Sequence, residues 1–347
     1  MLLNTDFYTP STLTGYARTA LLRLPINQTS LARFLPYQPL DDLVYRYTKG
    51  GDSLISAAPY RAYDAESSIT KRPGLTRVSG ELPPISRKIP LMEYDRLRQR
   101  SNPEASIQRS ILSDTERLVR QIAMRLEVAR ASALVTGAVS IDENGVKASV
   151  DFGRDASMAV TASTLWSTTA SADPLNDLRT WQQAYVDRNG QKPAVFQTSE
   201  RVVGLLLQNA AIRSLVAGSG GTPTLVSLTK LAEILQAYGL PRIETYDVRY
   251  DVAGTATRVI DDHIGLLLPE PVDPNSPDET DLGGTFIGTT AESLDPSYAI
   301  EGDEAGIVAG VYRSEDPIAI WTKAAAIALP VLATPDLAMA CTVATDI

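Results

Sequence analysis

The chain has 347 residues, of which 44% are hydrophobic and 21% are charged, and its net charge is −9. This composition is typical of a folded protein with two or three cores and excludes a disordered chain. A single cysteine excludes an internal disulfide, and a single histidine leaves too few ligands for most zinc, iron or copper sites. The N-terminus lacks a secretion signal and no apolar run is long enough to span a bilayer, so we expect a soluble, unexported protein without a membrane partner.

Charge is divided unevenly along the chain. Residues 1–130 contain 19 Lys and Arg against 13 Asp and Glu, a balance of +6, which leaves −15 for the remainder. Residues 259–312 contain no Lys or Arg at all. Solvated surface loops are the simplest interpretation of this acidic stretch, and a calcium site or a partner surface are the alternatives.

The first 90 residues do not predict a compact core. Scattered prolines and the lack of a sustained hydrophobic period indicate that residues 1–50 form an arm that packs on something else. Residues 51–90 combine short β-like pieces with six basic residues: Arg61, Lys71, Arg72, Arg77, Arg87 and Lys88. We interpret this stretch as a two-stranded projection, and since an isolated hairpin is marginal in water, we expect it to lie on another subunit, with these six residues at the contact. Contact with nucleic-acid phosphates is the alternative.

A long amphipathic helix is predicted from Asn102 to about Thr136. Its apolar stripe recurs at steps of three and four residues. The stripe consists of Ile107, Ile111, Thr115, Leu118, Ile122, Leu126, Ala129 and Ala133. The opposite, charged face is predicted to carry Arg109, Asp114, Glu116, Arg117, Arg120, Arg125, Glu127 and Arg130. Pro103 suits the first turn, and Gly137 can end the helix in the left-handed region. At 1.5 Å per residue the helix would span roughly 50 Å, which is typical of a spine rather than a core helix.

The rest of the chain predicts a hairpin, a small α/β domain and a set of late strands. Asn144-Gly145 is a strong hairpin signal within residues 141–152. Helices are predicted from Asp173, Ser199 and Thr224, and strands at 194–197 and 242–246. Residues 255–268 predict a strand pair around Asp261-Asp262, and we expect residues 307–343 to return to the domain of the long helix.

Motifs that would carry catalysis are missing. The glycine loop at 218–221 is not followed by Gly-Lys-Ser/Thr, so it predicts a flexible loop and not a phosphate-binding one. No Gly-x-Ser-x-Gly motif occurs, and His263, the only possible histidine base, is predicted to be a turn or strand-edge residue. Cys341 lies in an apolar tail and is predicted to be packed and unreactive. We therefore expect no catalytic, cofactor-binding or metal-binding residues.

Three stretches, taken together, give the sequence a family resemblance. The first is Arg120–Gly137 with Val150–Gly153 after the hairpin, the second is Asp173–Val216, and the third is Thr257–Pro269, TRVIDDHIGLLLP. Together with the order of parts, they make the chain similar to the lambda-like major capsid protein E family of tailed bacteriophages, which has the Hong Kong 97-like fold. Residues 1–100 and 270–347 match this family in layout only.

The resemblance implies an α+β capsid fold with five parts. These are an N-terminal arm at 1–50, an extended loop at 51–90, a peripheral domain with the spine helix and hairpin at 91–165, an α/β axial domain at 166–256, and return strands at 257–347 with an acidic insertion at 270–304. Some relatives join a Lys of the extended loop to a late Asn of a neighbour. Lys71 or Lys88 could supply the amine, but no Asn follows Asn275, so we expect no such cross-link.

The resemblance also implies a function and partners. It predicts pentamers and hexamers that form an icosahedral shell around double-stranded DNA, bound without sequence specificity, in the virion. Assembly is expected in the host bacterial cytoplasm with scaffold and portal proteins, and a decoration protein could replace the cross-link. Two alternatives remain at this point: an encapsulin-like compartment shell with the same fold, and a two-domain α/β enzyme, which the missing motifs disfavour.

Overall fold

The computed structural model of the chain describes most of its residues. The described residues are 2–24, 30–49, 58, 60–61, 63, 66–67, 76–98, 103–143, 145–217, 225–275, 280–300, 305–316 and 318–346. Its helices are α1 (Pro10–Arg23), α2 (Glu93–Arg98), α3 (Pro103–Thr136), α4 (Pro174–Asn189), α5 (Glu200–Gln208), α6 (Ala210–Val216), α7 (Leu228–Ala237) and α8 (Ala291–Leu294). Its strands are β1 (Leu2–Leu3), β2 (Tyr37–Leu40), β3 (Val44–Lys49), β4 (Thr76–Glu81), β5 (Pro84–Leu91), β6 (Ala138–Glu143), β7 (Val146–Asp151), β8 (Ala159–Thr161), β9 (Val195–Thr198), β10 (Arg242–Thr245), β11 (Arg249–Val252), β12 (Thr255–Arg258), β13 (Ile264–Leu268), β14 (Gly283–Gly288), β15 (Val308–Glu315), β16 (Ile318–Leu332) and β17 (Met339–Thr342).

The long helix α3 ends where the sequence predicts. The amide of Gly137 donates a hydrogen bond to the Ala133 carbonyl at 2.9 Å, and Gly137 adopts the left-handed region with φ of 71°. The guanidinium of Arg154 then donates to the carbonyls of Leu134 and Val135, at 2.8 and 2.7 Å. A cation at this end is favourable because the last carbonyls of a helix lack partners within it.

A first core lies between helices α1 and α3 and one face of a six-stranded sheet. The sheet has the order β1-β15-β16-β14-β2, and β5 pairs with the first half of the long strand β16. Alternate residues of β16, among them Ile320, Ala324 and Ala326, are buried against the two helices. The other members of this core include Leu13, Ala17 and Leu21 of α1 and Ile107, Ile111, Leu118, Ile122 and Leu126 of α3.

A second core surrounds a five-stranded sheet with the order β10-β9-β13-β17-β8. Strands β9 and β13 are buried along their whole length, as expected for strands covered on both faces. Two of the three predicted helix starts are confirmed: Asp173 and Ser199 accept backbone N–H bonds at the beginnings of α4 and α5. The third, Thr224, lies outside the described residues, and Ser227 caps the start of α7. The ring of Trp166 stacks on that of Trp181 of α4, with centroids 5.8 Å apart.

The hairpin predicted after the long helix is present as β6 and β7. Gly145 occupies its turn with φ of 85°, while Asn144 lies outside the described residues, as do the predicted helix-start residue Asn102 and the glycine loop at 218–221. The hairpin register pairs Ala138 with Asp151. It continues directly from the end of α3.

The predicted strand pair within 255–268 is wrong. Strand β12 pairs with β11 around Ala253-Gly254, whose positive φ values of 51° and 88° suit a tight hairpin turn. Strand β13 pairs instead with β9 and β17. The reason is burial: β13 is buried throughout and belongs inside a sheet, whereas Thr255–Arg258 is largely exposed.

Two stretches differ from the predicted layout. Residues 84–90, assigned to the extended loop, belong to β5 of the six-stranded sheet, because Ile85 and Ile89 pack on the first core. Residues 257–347 do not all return to the sheet beside α3, since β13 and β17 belong to the five-stranded sheet. The division into arm, loop, peripheral and axial domains otherwise stays a prediction.

Candidate assembly surfaces

Strands β3 and β4 form an antiparallel ribbon whose base is anchored in the body of the molecule. Val44 pairs with Glu81, and the register runs outward to Lys49 opposite Thr76. At the base, Tyr45 is buried and its ring stacks on that of Phe286 of the six-stranded sheet, with centroids 6.2 Å apart. The base is therefore part of the molecule's interior.

The structure describes four of the six basic residues predicted at subunit contacts. Arg61 is exposed in the segment beyond the ribbon, Arg77 lies in β4, and Arg87 and Lys88 are exposed in β5. Lys71 and Arg72 fall outside the residues that the structure describes. The segment around Arg61 is also aromatic, because Tyr60 and Tyr63 are fully exposed there. Contact of these residues with a neighbouring subunit stays a prediction.

Lys88 belongs to a basic and aromatic face of the six-stranded sheet. It lies directly opposite Lys323 on β16, and its ammonium group is 4.6 Å from the centre of the Trp321 ring. Lys323 is paired with Glu292 of α8 at 2.5 Å. Burial alone would raise the pKa of Glu292, but the hydrogen bond from Lys323 holds that pKa below its ordinary value. Beside these residues Ser86, Arg87 and Tyr312 complete a cleft of about 550 Å³.

A larger cleft of about 840 Å³ runs along α3. Its walls are the start of β5 and the two hairpins β6–β7 and β11–β12. The apolar part of its lining comes from Ile85, Met124, Val128, Ile141 and Tyr250. Arg125 of α3 and Glu143 of β6 form an ion pair in its wall, 3.0 Å apart. An open apolar groove with a polar wall is suited to receiving a chain from another molecule.

A buried polar cluster lies deeper, on the inner side of α3. Glu127 and Arg130 are each 1% exposed. One carboxylate oxygen of Glu127 accepts hydrogen bonds from the Leu31 amide at 2.8 Å and the Tyr246 hydroxyl at 2.7 Å, and the other lies 3.4 Å from Arg130 Nη1. Arg130 Nε donates to the Thr285 hydroxyl at 2.8 Å. These side chains, with Tyr37, are called the buried polar cluster below.

Aromatic residues complete the cluster. The guanidinium carbon of Arg130 lies 4.7 Å from the centre of the Tyr37 ring. Burial and the adjacent Glu127 carboxylate raise the pKa of the Tyr246 hydroxyl well above its usual range. Tyr246 therefore stays a hydrogen-bond donor to Glu127 at any ordinary pH.

The prediction that Glu127 and Arg130 lie on the charged outer face of α3 is wrong. Arg109, Arg117 and Arg120 do project outward, and Glu116 forms the predicted ion pair with Arg120 at 3.9 Å. The two buried residues belong to a second stripe of α3 that faces inward. This stripe consists of Ala123, Glu127, Arg130 and Leu134. Its spacing of four, three and four residues is the sequence signal that predicts their burial. Their charge hid the pattern, because charged residues are almost never fully buried unless paired.

The sequence model of the family described as phage major capsid protein E matches residues 49–343. This chain belongs to that family. The resemblance predicted from the three stretches is confirmed, and the capsid protein is a structural component of a phage shell, located in the virion. A comparison with curated proteins found no match.

Solved structures show that the capsid protein has a capsid-type fold. It is similar to a protein described as the capsid protein of a prophage in E. coli CFT073, with 14% identity, a TM-score of 0.63, and coverage of 97% of this chain and 99% of that one. It is also similar to a phage-related protein from Bordetella bronchiseptica RB50, with 14% identity, a TM-score of 0.62, and coverage of 99% and 97%. The predicted α+β capsid fold is confirmed.

Within the described ranges, no group of three or more His, Cys, Asp and Glu side chains is arranged to hold a metal ion. No helix of the described part is both long and apolar enough to cross a bilayer. Cys341 is buried, which raises the pKa of its thiol well above the usual range. His263 lies in the turn before β13, as predicted.

Proposed function

We propose that this capsid protein assembles as pentamers and hexamers into an icosahedral shell that encloses the double-stranded DNA of a tailed phage. Family membership over residues 49–343 is the observation that carries the proposal. Assembly takes place in the host bacterial cytoplasm, with scaffold and portal proteins as partners and a decoration protein as a further one. The subunit has no catalytic activity of its own in this proposal.

The ribbon and the larger cleft support contacts between copies. A two-stranded ribbon is marginal in water unless something covers it, and among the described side chains of β3 and β4 it is Tyr45 that anchors the base. The larger cleft offers apolar lining and two exposed hairpin walls. The ribbon and outer segment of one copy therefore lie on the surface of a neighbour, and Arg61 and Arg77 are carried to that contact.

The uneven charge of the chain supports an assignment of its two parts to the inner and outer surfaces of the shell. The arm and helix region, with its balance of +6, faces the interior or a neighbour, and the later part, with −15, faces outward. DNA is then held by phosphate contacts, which require positive charge but no sequence motif. Assembly should accordingly respond to ionic strength, because salt screens contacts between exposed charges.

Negative-stain microscopy of the purified protein tests the proposal. Uniform round particles are expected, and particles recovered from a phage lysate with an antibody against this chain should contain nuclease-resistant DNA. A monomer at high concentration, both alone and when co-produced with the other head proteins of its phage, would overturn the shell. Particles that hold an enzyme cargo instead of DNA would favour the encapsulin-like compartment.

A further inference from the structure

The two cores share continuous elements, and the buried polar cluster lies where α3 passes from one core to the other. Residues of α3 up to Leu126 belong to the first core, and residues from Ala131 belong to the second. Strand β16 also contributes to both cores, with Ala328 in the first and Leu329, on the opposite face of the strand, in the second. No chain break or loop separates the cores at these points. Their relative orientation depends on what holds α3 and the sheet at this seam.

The cluster makes contacts on both sides of the seam. The Glu127 carboxylate binds the Leu31 amide and the Tyr246 hydroxyl, and both of these residues belong to the second core. The Arg130 guanidinium faces Tyr37, which packs on the first core. Because Glu127 and Arg130 also contact each other, one ion pair connects groups from both cores.

Stability alone does not explain a charged pair at this place. Burial of two charges costs desolvation free energy that their attraction often fails to recover, and apolar residues of similar volume are frequently as stable. Arg130 Nη2 is buried and has no hydrogen-bond partner among the described residues, which adds to the cost. Hydrogen bonds do provide direction, whereas apolar contacts are non-directional. The cluster thus fixes an orientation that two apolar cores would leave loose.

We propose that Glu127 and Arg130 are positioning residues for assembly, which set the orientation of the two cores and thereby the curvature at which copies of the chain join. This inference rests on the proposed shell function. In a shell of pentamers and hexamers, copies of the chain make closely similar contacts many times over, so a small spread in subunit shape is repeated at each contact. Loss of the cluster should therefore change the size distribution of shells more than the stability of the subunit.

The double variant Glu127→Met/Arg130→Met tests the inference. We expect its melting temperature to stay within about 4 °C of the wild-type value, while its shells become mixed in diameter or fail to close. The matched control is Asp177→Asn, since Asp177 is a buried carboxylate that accepts a bond from Trp166 Nε1 at 2.9 Å within a single core. The control should keep uniform shells of wild-type diameter. Uniform wild-type shells from the double variant would overturn the inference.

Two conservative variants separate positioning from general stability. Arg130→Lys keeps the charge but cannot bond Thr285 and Glu127 through a planar fork, and Glu127→Gln keeps the volume without the charge. Both should broaden the diameters whether or not they melt lower. The four variants are the double variant, Asp177→Asn, Arg130→Lys and Glu127→Gln. If the spread of their shell diameters simply increased as their melting temperatures fell, the positioning role would be contradicted.

Hydrogen exchange gives a readout that does not need shells. In the soluble subunit of the double variant, the Leu31 amide should exchange faster by about tenfold, because a bond to a charged acceptor contributes roughly that factor. Amides of the two sheets should keep their wild-type rates. Unchanged exchange at Leu31 would overturn the inference, whether or not the wild-type chain forms shells. A wild-type chain that forms no shells would instead count against the proposed function only.

Discussion

Gly265 occupies a position where the fold accepts only a hydrogen as the side chain. It lies in β13, and a Cβ there would overlap the ring of Phe196 on the neighbouring strand β9. We expect Gly265→Ala to destabilise the subunit by roughly 1–3 kcal/mol, since overpacking a dense interior forces the ring or the strand to move. Thermal unfolding measures the effect.

Gly204 of α5 provides the matched control for this substitution. Nothing lies within 4 Å of a Cβ added at Gly204, so Gly204→Ala should hold or raise stability, by up to about 1 kcal/mol, through better helix propensity. Equal melting temperatures for the two variants would contradict the packing argument.

The ion pair between Glu292 and Lys323 should make stability depend on pH. The pKa of Glu292 lies below its ordinary value in the folded chain, so the pair stabilises the fold above the unfolded pKa, and this contribution is lost as the pH falls through the folded one. Glu292→Gln should therefore cost roughly 0.5–1 kcal/mol at neutral pH. The stability difference between variant and wild type should shrink as the pH falls below the ordinary Glu pKa of about 4.3, and it should close once the pH is below the lowered folded pKa, where Glu292 is neutral like Gln.

Thermal unfolding of both proteins across this pH range measures the effect. The Lys323→Met variant serves as a control, because without the cation a Glu292→Gln change should no longer cost stability at neutral pH. A gap that stays constant down to acid pH would show that the carboxylate acts through packing and not through its charge.

The role of the segment beyond the β3–β4 ribbon can be tested by removing it and joining the two strands with a short turn. Lys49 lies opposite Thr76, so residues 50–75 can be replaced by Asn-Gly, which favours a two-residue hairpin turn at that register. We expect a folded subunit with a nearly unchanged melting temperature, because Tyr45 and the sheet behind it remain. Sedimentation velocity should show small soluble species and no shells. Normal shells from this variant would contradict the role given to the outer segment.

Local sequence signals predicted most helices and hairpins, but they could not predict which strands pair when the partners are distant in sequence. The three-and-four spacing and Gly137 gave α3, and Asn144-Gly145 gave the β6–β7 hairpin, because these signals act within a few residues. The partner of β13 was missed because its neighbours on the sheet, β9 and β17, are far away in sequence. For the candidate surfaces, six basic residues were predicted from charge, and the structure describes four of them, so their contact with a neighbouring subunit stays a prediction.

The residues that sequence reasoning missed are those whose neighbours come from several parts of the chain. Glu127 is buried because Leu31 and Tyr246 supply hydrogen-bond donors to its carboxylate, and both residues are far from α3 in the sequence. A helix pattern cannot reveal such partners. Lys88 was assigned to a projecting loop for the same reason, since its place opposite Lys323 in β16 depends on a strand near the C-terminus.

At the scale of the whole molecule, the larger cleft should matter for assembly and not for folding. Met124 is half-buried in the cleft, and Met124→Glu keeps a good helix former of similar length. We expect a melting temperature within about 3 °C of wild type, and a loss of shells because an uncompensated charge would be buried at the contact. Sedimentation velocity distinguishes shells from subunits.

A charge placed elsewhere provides the comparison. Leu228 at the start of α7 is 62% exposed and outside the cleft, so Leu228→Glu adds the same charge without touching the groove. This variant should assemble. If Met124→Glu also assembled normally, the cleft would not be a contact between copies.

The pairing of β1 with β15 sets when a newly made chain can fold. Leu2 pairs with Arg313 and Leu3 with Tyr312, so β1 waits for a strand that is synthesised much later. At translation rates on the order of 5–20 residues per second, the apolar face of α1 is outside the ribosome for tens of seconds before its sheet exists. The six-stranded sheet is therefore completed only after β15 and β16 have left the ribosome, which leaves a period for chaperone binding and delays the appearance of assembly-competent subunits.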